Sequence, residues 1–448
     1  MTLIKTIGMA AAAIVILSCS ANHAQVKGYN EKYSADELKA DLTKARDLFL
    51  KDHPMFFIDK AEFLAEYEKQ HNLITDSMRS IDFLKYLGPM LSKMRCGHSR
   101  IYANDTIINY LFAEGSLLPL YVVIVNDSLF VRASFGEDSA VSPGSCIKSI
   151  NGQTGSEIIK VLKDNLPADG TNESYKYYNI NLKFSTKYAQ YIGDPDEYHL
   201  ELVAPGTGDS YDATLRRINL TDFRAKMDEY NTTLGAAQPF GMTFDDHNRY
   251  AVLRIESFSY YGDEIVHFKE PVDSFFAEVA LKNIGAVIID VRGNDGGDPY
   301  AGNHLLQYIM TEPYKYFSEE THGYDDLKAA QVLHVNSFHG ELYILTDGGC
   351  FSTTGHFCSI LKYHKRGIFV GEETGGSWAC NDASQEHSLP HTGININVPR
   401  ATYATEVNGL EKGRGIRPDY PVMATIDDLI ARRDVVLQKA IDIILEKK

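Results

Sequence analysis

Two glycine-rich turns, each placed after a continuous apolar run, hold the residues best suited to chemistry. The first is Asp290-Val291-Arg292-Gly293-Asn294-Asp295-Gly296-Gly297, after the run from Ala286. The second is Asp347-Gly348-Gly349-Cys350-Phe351-Ser352-Thr353-Thr354-Gly355-His356, after the run Leu342 to Thr346. A strand-turn-helix junction presents its side chain at a sheet edge, where α/β proteins place their sites. Ser352 falls at the start of an amphipathic stretch that reaches His364. Backbone N–H groups and the helix dipole there stabilise developing negative charge. A serine so placed is either a nucleophile with oxyanion donors at hand or a plain N-cap. On this segment alone the N-cap is favoured. The glycines of the first turn let backbone N–H groups approach an oxyanion closely. GxGxxG is absent and no Lys-Ser/Thr pair follows, so neither the dinucleotide nor the Walker pattern fits.

Rival chemistry is weaker. Cys350 and Cys358 flank the serine, but a cysteine nucleophile needs an electropositive setting. Cys380, His387 and His391 suggest a metal site, yet Pro390 excludes a helix presenting both histidines on one face. Their spacing matches no zinc signature. No metal and no cofactor is expected.

The elements that position these turns follow from periodicity. From about residue 249 strands and helices alternate, which is α/β architecture with helices packed on a sheet. Strands are expected at Tyr250–Ile255, Ala286–Val291, Leu342–Thr346 and Ile368–Val370, and helices at 263–282, 303–310 and 352–364. A last helix is expected over 426–446 with Thr425 as N-cap. Upstream, Ser34-Ala35-Asp36-Glu37 has the form of a capping box, and helices are expected to follow from it, at about 60–70 and from about Ser80, with Pro89 kinking or restarting the last. Two β runs between Leu118 and Arg132 meet at Asn126-Asp127-Ser128, a hairpin signal. Residues 168–240 hold Tyr-rich and Thr-rich strand candidates, with a hairpin at Pro205-Gly206-Thr207-Gly208.

The chain has 448 residues, 44% hydrophobic and 23% charged. That balance excludes a wholly disordered chain, a collagen-like repeat and a polytopic membrane protein. It carries 44 Lys+Arg against 60 Asp+Glu, a net charge of −16, so a nucleic-acid partner is not expected. Lys5 precedes an uncharged run from Ile7 to Leu17, too short to span a bilayer and right for a secretory signal. The run ends in Ile16-Leu17-Ser18-Cys19, which resembles a bacterial lipobox, so Cys19 is the expected lipidation site. The expected location is the bacterial cell envelope, lipid-anchored and facing the periplasm or the outer membrane. Without Cys19 the cysteine count is odd, so at least one thiol is free or pairs with another chain.

After the serine helix come Val370-Gly371-Glu372-Glu373-Thr374-Gly375-Gly376 and, farther on, Gly415-Ile416-Arg417-Pro418-Asp419. With the two turns above, these four ordered motifs resemble the tail-specific (C-terminal processing) serine peptidase family. The resemblance implies a ClpP/crotonase-like α/β peptidase core over 249–448. The lipobox-like run sets 1–19 apart as a lipoprotein signal, and the polar stretch and helical periodicity after it make 20–110 a tether and N-terminal helical unit ending in the His98 motif. The hairpin at Asn126-Asp127-Ser128, the turn Ser142-Pro143-Gly144, the run Ile147-Lys148-Ser149-Ile150-Asn151-Gly152 and the helical stretch Glu157 to Leu166 resemble a PDZ domain, so 111–175 is expected to be a PDZ-like β-rich domain, joined to the core by β segments over 176–248. One branch of the family pairs serine with a lysine after the Thr-x-Gly turn, where this chain has Thr374-Gly375-Gly376-Ser377-Trp378. The branch similar to the tricorn core and interphotoreceptor retinoid-binding protein uses a histidine, matched here by Arg95-Cys96-Gly97-His98-Ser99. The resemblance then implies Ser352 as nucleophile, His98 as base, Ser99 and Glu411 (or Glu406) as orienting groups, and backbone donors at Thr353 and at Gly296 or Gly297. It implies hydrolysis of peptides or unfolded proteins, with an inactive ligand-binding protein of the same fold as the alternative.

Overall fold

The computed structural model describes residues 26–115, 117–136, 141–233 and 240–447. The signal segment and Cys19 lie outside the described residues. No described helix is long and apolar enough to cross a membrane.

The site is built on a six-stranded sheet. Its order is Tyr420–Pro421, Ile368–Gly371, Glu341–Thr346, Ala286–Asp290, Ala251–Ile255 and Phe240–Phe244. All neighbours run parallel except the last, which pairs antiparallel at the edge. Every residue of Ala286–Asp290 is buried, as a continuous apolar run predicts when both faces are covered. The two-residue period divides the faces. Val287 and Ile289 pack with Phe275, Leu305 and Phe357 from the helices Val266–Leu281, Pro299–Ile309 and Thr353–Tyr363. Ile288 packs on the other face with Val436, Ala440 and Ile444 of Val435–Glu446. Asp290 stands opposite Leu345 in the parallel register. The turns that follow these two strands therefore leave the sheet side by side.

The N-terminal helices Ala35–Asp52, Lys60–Leu73 and Ser80–Ser92 lead into the His98 loop. The first carries the expected capping box at Ser34 and Glu37. The third runs through Pro89 without a break, contrary to the expected kink or restart; Pro89 stands near its C-terminal end, where one missing N–H ends little. The short strand Arg100–Tyr102 then pairs antiparallel with Asn395–Val398 of the C-terminal half. This pairing draws the N-terminal unit onto the core, and Asn397 Nδ2 donates to the His98 carbonyl at 3.1 Å.

A second sheet has the order Leu120–Val125, Ser128–Ser134, Cys146–Ile150, Glu197–Val203 and Ser210–Arg216. Its strands come from both sides of the boundary expected at residue 175, so 197–216 complete this sheet rather than bridge two domains. The strand candidates over 168–240 are corrected in part. Ser174–Tyr191 and Leu220–Thr232 are helices. In the first, Tyr175, Ile180, Phe184, Tyr188 and Tyr191 are buried, an apolar spacing that follows the helical period despite a Tyr-rich composition. The last helix is also two, Ile426–Ala431 and Val435–Glu446, parted where Arg432 takes φ 58°.

Candidate active site

Ser352 sits where the buried strand Glu341–Thr346 turns into the helix Thr353–Tyr363. Its backbone lies at φ 53°, ψ −124°, a conformation a non-glycine residue rarely holds. Such strain costs about 1–3 kcal/mol and persists where the surroundings impose it. Ser352 occupies the cap position, but its side chain makes no capping hydrogen bond. Instead Ser352 Oγ lies 3.1 Å from His98 Nε2.

The surroundings that impose this turn are close-packed backbone. A Cβ on Gly296 (φ +104°) would come within 2.7 Å of Ser352 Cβ and 2.9 Å of Thr353 N. Asn294, fully buried, ties the two turns together. Its carbonyl accepts from Phe351 N at 3.1 Å, and its Oδ1 accepts from Gly296 N and from Thr354 Oγ1. The Gly296 N–H is thus committed to Asn294. Among the described residues, the Gly297 and Thr353 N–H groups form no hydrogen bond. Of the two glycines considered, Gly297 is the one left with an available donor. Arg292, in the same motif, faces away: it pairs with Asp290 and Asp434, each at 2.7 Å.

Gly355 packs against the next turn. A Cβ there would lie 2.6 Å from the Gly376 carbonyl carbon. Gly376 N in turn donates to the Cys350 carbonyl at 2.8 Å, which locks the segment 374–377 against the serine turn.

His98 is buried, its ring against Phe351 with centroids 4.7 Å apart. Burial pulls its pKa down to about 4, against an opposing pull from Asp382. Asp382 Oδ2 stands 3.7 Å from Nε2 and is 42% exposed, at the open side of the site. The other ring nitrogen, Nδ1, is buried and has no hydrogen-bond partner.

The expected orienting groups are corrected. Ser99 is buried next to the histidine in sequence, but its hydroxyl makes no hydrogen bond to the ring. Glu411 is 62% exposed and pairs with Arg417 at 3.1 Å; it makes no bond to His98. Its neighbour Lys412 is exposed and lies over the Phe56 ring. Glu406 gives its backbone N–H to the Tyr316 carbonyl, and among the described residues its carboxylate forms no hydrogen bond or ion pair with His98.

Asp169 is the acidic residue that the sequence reading missed. It is 1% exposed, its Oδ1 accepts from Gly97 N at 2.9 Å, and burial raises its carboxyl to about 7. Nothing in Pro167-Ala168-Asp169-Gly170 marks it as more than a turn. Cys96 Sγ, a His98 ring nitrogen and an Asp169 oxygen lie within 4.8 Å of one another, a set able to hold a metal ion. Burial raises the Cys96 thiol to about 12, so it is neutral without one.

The rival nucleophiles recede. Cys350 is fully buried, its Sγ 3.0 Å from the Val291 carbonyl, and Cys358 is fully buried in the core. Burial pushes both thiols up. Cys380 meets His356 at 3.7 Å rather than His387 or His391. The described cysteines are all free thiols.

Residues 249–422 match the profile of Peptidase family S41. The fold is similar to that of mature CPAF, with a TM-score of 0.65 at 12% identity over 92% of this chain and 98% of that one. Mature CPAF complexed with lactacystin gives a TM-score of 0.64 at 11% identity, over 92% and 99%. At these identities the likeness is one of fold. No curated protein sequence matches the chain.

Proposed function

From the premise that this chain is a serine-type peptidase carrying a peptidase family S41 domain, we propose that Ser352 is its nucleophile and His98 its general base. The observation that carries this reading is the 3.1 Å approach of Ser352 Oγ to His98 Nε2, made by a serine that caps nothing. A base must stand within hydrogen-bond reach of the proton it takes, and this one does.

The geometry supports the following steps. Ser352 Oγ attacks the peptide carbonyl as His98 Nε2 takes its proton. The carbonyl oxygen gains the negative charge, and the N–H groups of Thr353 and Gly297 stabilise it. His98 returns the proton to the leaving amine nitrogen, and the C–N bond breaks to leave an acyl group on Ser352. A water, deprotonated by His98, then releases the acid and restores the serine. A fluorophosphonate probe tests the nucleophile directly. One label per chain, at Ser352, is expected. An unlabelled, folded protein would instead support a ligand-binding role for the same fold.

The substrate is proposed to be a peptide or unfolded protein chain. The hairpin, strand and helix of Leu120–Asn165 suit a PDZ-like unit that takes a substrate's free C-terminus. Peptides with an amidated C-terminus should then be cut more slowly than the free acids; equal rates would count against it. Cys19 is proposed to anchor the protein to the bacterial envelope through acyl chains, since the apolar run before it is too short to span. Cys19→Ala should move the protein from the membrane to the soluble fraction, and unchanged membrane association would refute the anchor.

A further inference from the structure

His98 is held at only one ring nitrogen. Nε2 faces Ser352, while Nδ1 is buried without a partner. Asp169 shows the complementary defect: Oδ1 is bonded to Gly97 N, while Oδ2 is buried without a partner. A ring nitrogen of His98 and an oxygen of Asp169 lie within 4.8 Å of each other. A buried polar atom left unpaired is destabilising. One donor and one acceptor at this separation satisfy each other by a small side-chain rotation or across one water.

We propose that Asp169 is the positioning residue for His98: its Oδ2 accepts a hydrogen bond from Nδ1–H, which keeps the proton on Nδ1 and leaves Nε2 bare toward Ser352. The same carboxylate then stabilises the imidazolium that forms when the serine gives up its proton. This rests on the Ser352–His98 reading and replaces Glu411 in the orienting role.

The backbone holds Asp169 firmly for such a role. Gly170 N donates to the Arg95 carbonyl at 2.9 Å, on the loop that carries His98. Thr171 N donates to the Gly413 carbonyl at 2.9 Å, and Asn172 Nδ2 to the Thr374 carbonyl at 2.7 Å. The turn is thus pinned to three segments around the site. The other charged or titratable groups acting on the pair are Arg100, Asp382, His356, Tyr175, Cys96 and Cys380. Asp382 stands on the Nε2 side, and the Cys96 thiol is a weak acceptor.

Asp169→Asn separates positioning from structure. The amide still accepts from Gly97 N, so the loop keeps its anchor. Its NH₂ group, however, faces Nδ1 and favours the tautomer with the proton on Nε2. The expected result is a fall in kcat of roughly 10²-fold with little change in KM. The acid limb of kcat/KM should move to lower pH, since the imidazolium loses its counter-charge. Asp169→Glu, which keeps the carboxylate, should recover part of the rate. An Asn variant with the wild-type kcat and acid limb, beside an inactive Ser352→Ala, overturns this inference alone. Full turnover in Ser352→Ala overturns the underlying reading as well. Should the Asn variant fail to fold, the wild-type protein decides: a strongly downfield, slowly exchanging Nδ1 proton of His98 supports the pair, and its absence refutes it.

Discussion

Ser352→Ala is expected to lower kcat by roughly 10³-fold or more and to leave folding untouched. The argument joins two observations. Ser352 Oγ is within reach of His98 Nε2, so its loss removes the attacking atom. The same oxygen caps no helix N–H, so its loss removes no structural bond. A fall of that size is about 4 kcal/mol of transition-state stabilisation, and residual rate would come from the oxyanion donors and binding alone. Stability should change by less than about 0.5 kcal/mol, the usual range away from structural features. A plain N-cap serine gives the opposite pattern, a stability loss near about 1 kcal/mol and no effect on turnover. The measurement uses soluble protein starting at Ser20, wild type and variant, with a mixed peptide library and an unfolded protein. Products are read by mass spectrometry and stability by denaturant titration. Cleavage by the variant at the wild-type rate would remove Ser352 from the chemistry.

The parts of the site that lie next to each other in sequence were legible there. The apolar runs ending at Asp290 and Thr346 announce strands, and the glycines after them announce turns that must approach closely. Gly296 against Ser352 is such an approach. His98 was legible only through its motif, because the pairing of Arg100–Tyr102 with Asn395–Val398 joins segments that no local pattern connects. Asp169 illustrates the limit. Its neighbours predict a turn, and its function depends on Arg95, Thr374 and Gly413 meeting around it. Glu411 illustrates the converse: spacing along a motif placed it near the histidine, while the chain turns it to solvent and to Arg417. The Tyr-rich segment over Ser174–Tyr191 misled for a local reason. Composition favoured strand, but the buried positions recur at helical spacing.

His98→Ala is expected to lower kcat by roughly 10³-fold or more as well, and the pH dependence is the sharper test of its role. The base must be neutral to accept the serine proton, so activity falls as pH drops through its pKa. Composition alone would put that limb near the ordinary histidine value of about 6.5. Burial against Phe351 lowers it toward about 4, with Asp382 opposing and Arg100 adding to the shift, and the proposed Asp169 hydrogen bond holds the limb between that value and the ordinary one. The wild-type kcat/KM should therefore be level above about pH 7, with a limb below the ordinary value. A limb centred above pH 7 would exclude His98 as the base. Stability carries the same sign. The folded pKa is depressed below the unfolded one, so the unfolded chain binds the proton first. The contribution of the neutral ring is present above about pH 6.5 and is lost as pH falls toward the folded value. Removing the ring removes that term, so His98→Ala should lose less melting temperature than wild type between pH 7.5 and pH 5. If the two proteins lose the same, the histidine is not buried in its neutral form, and the lowered acid limb loses its cause.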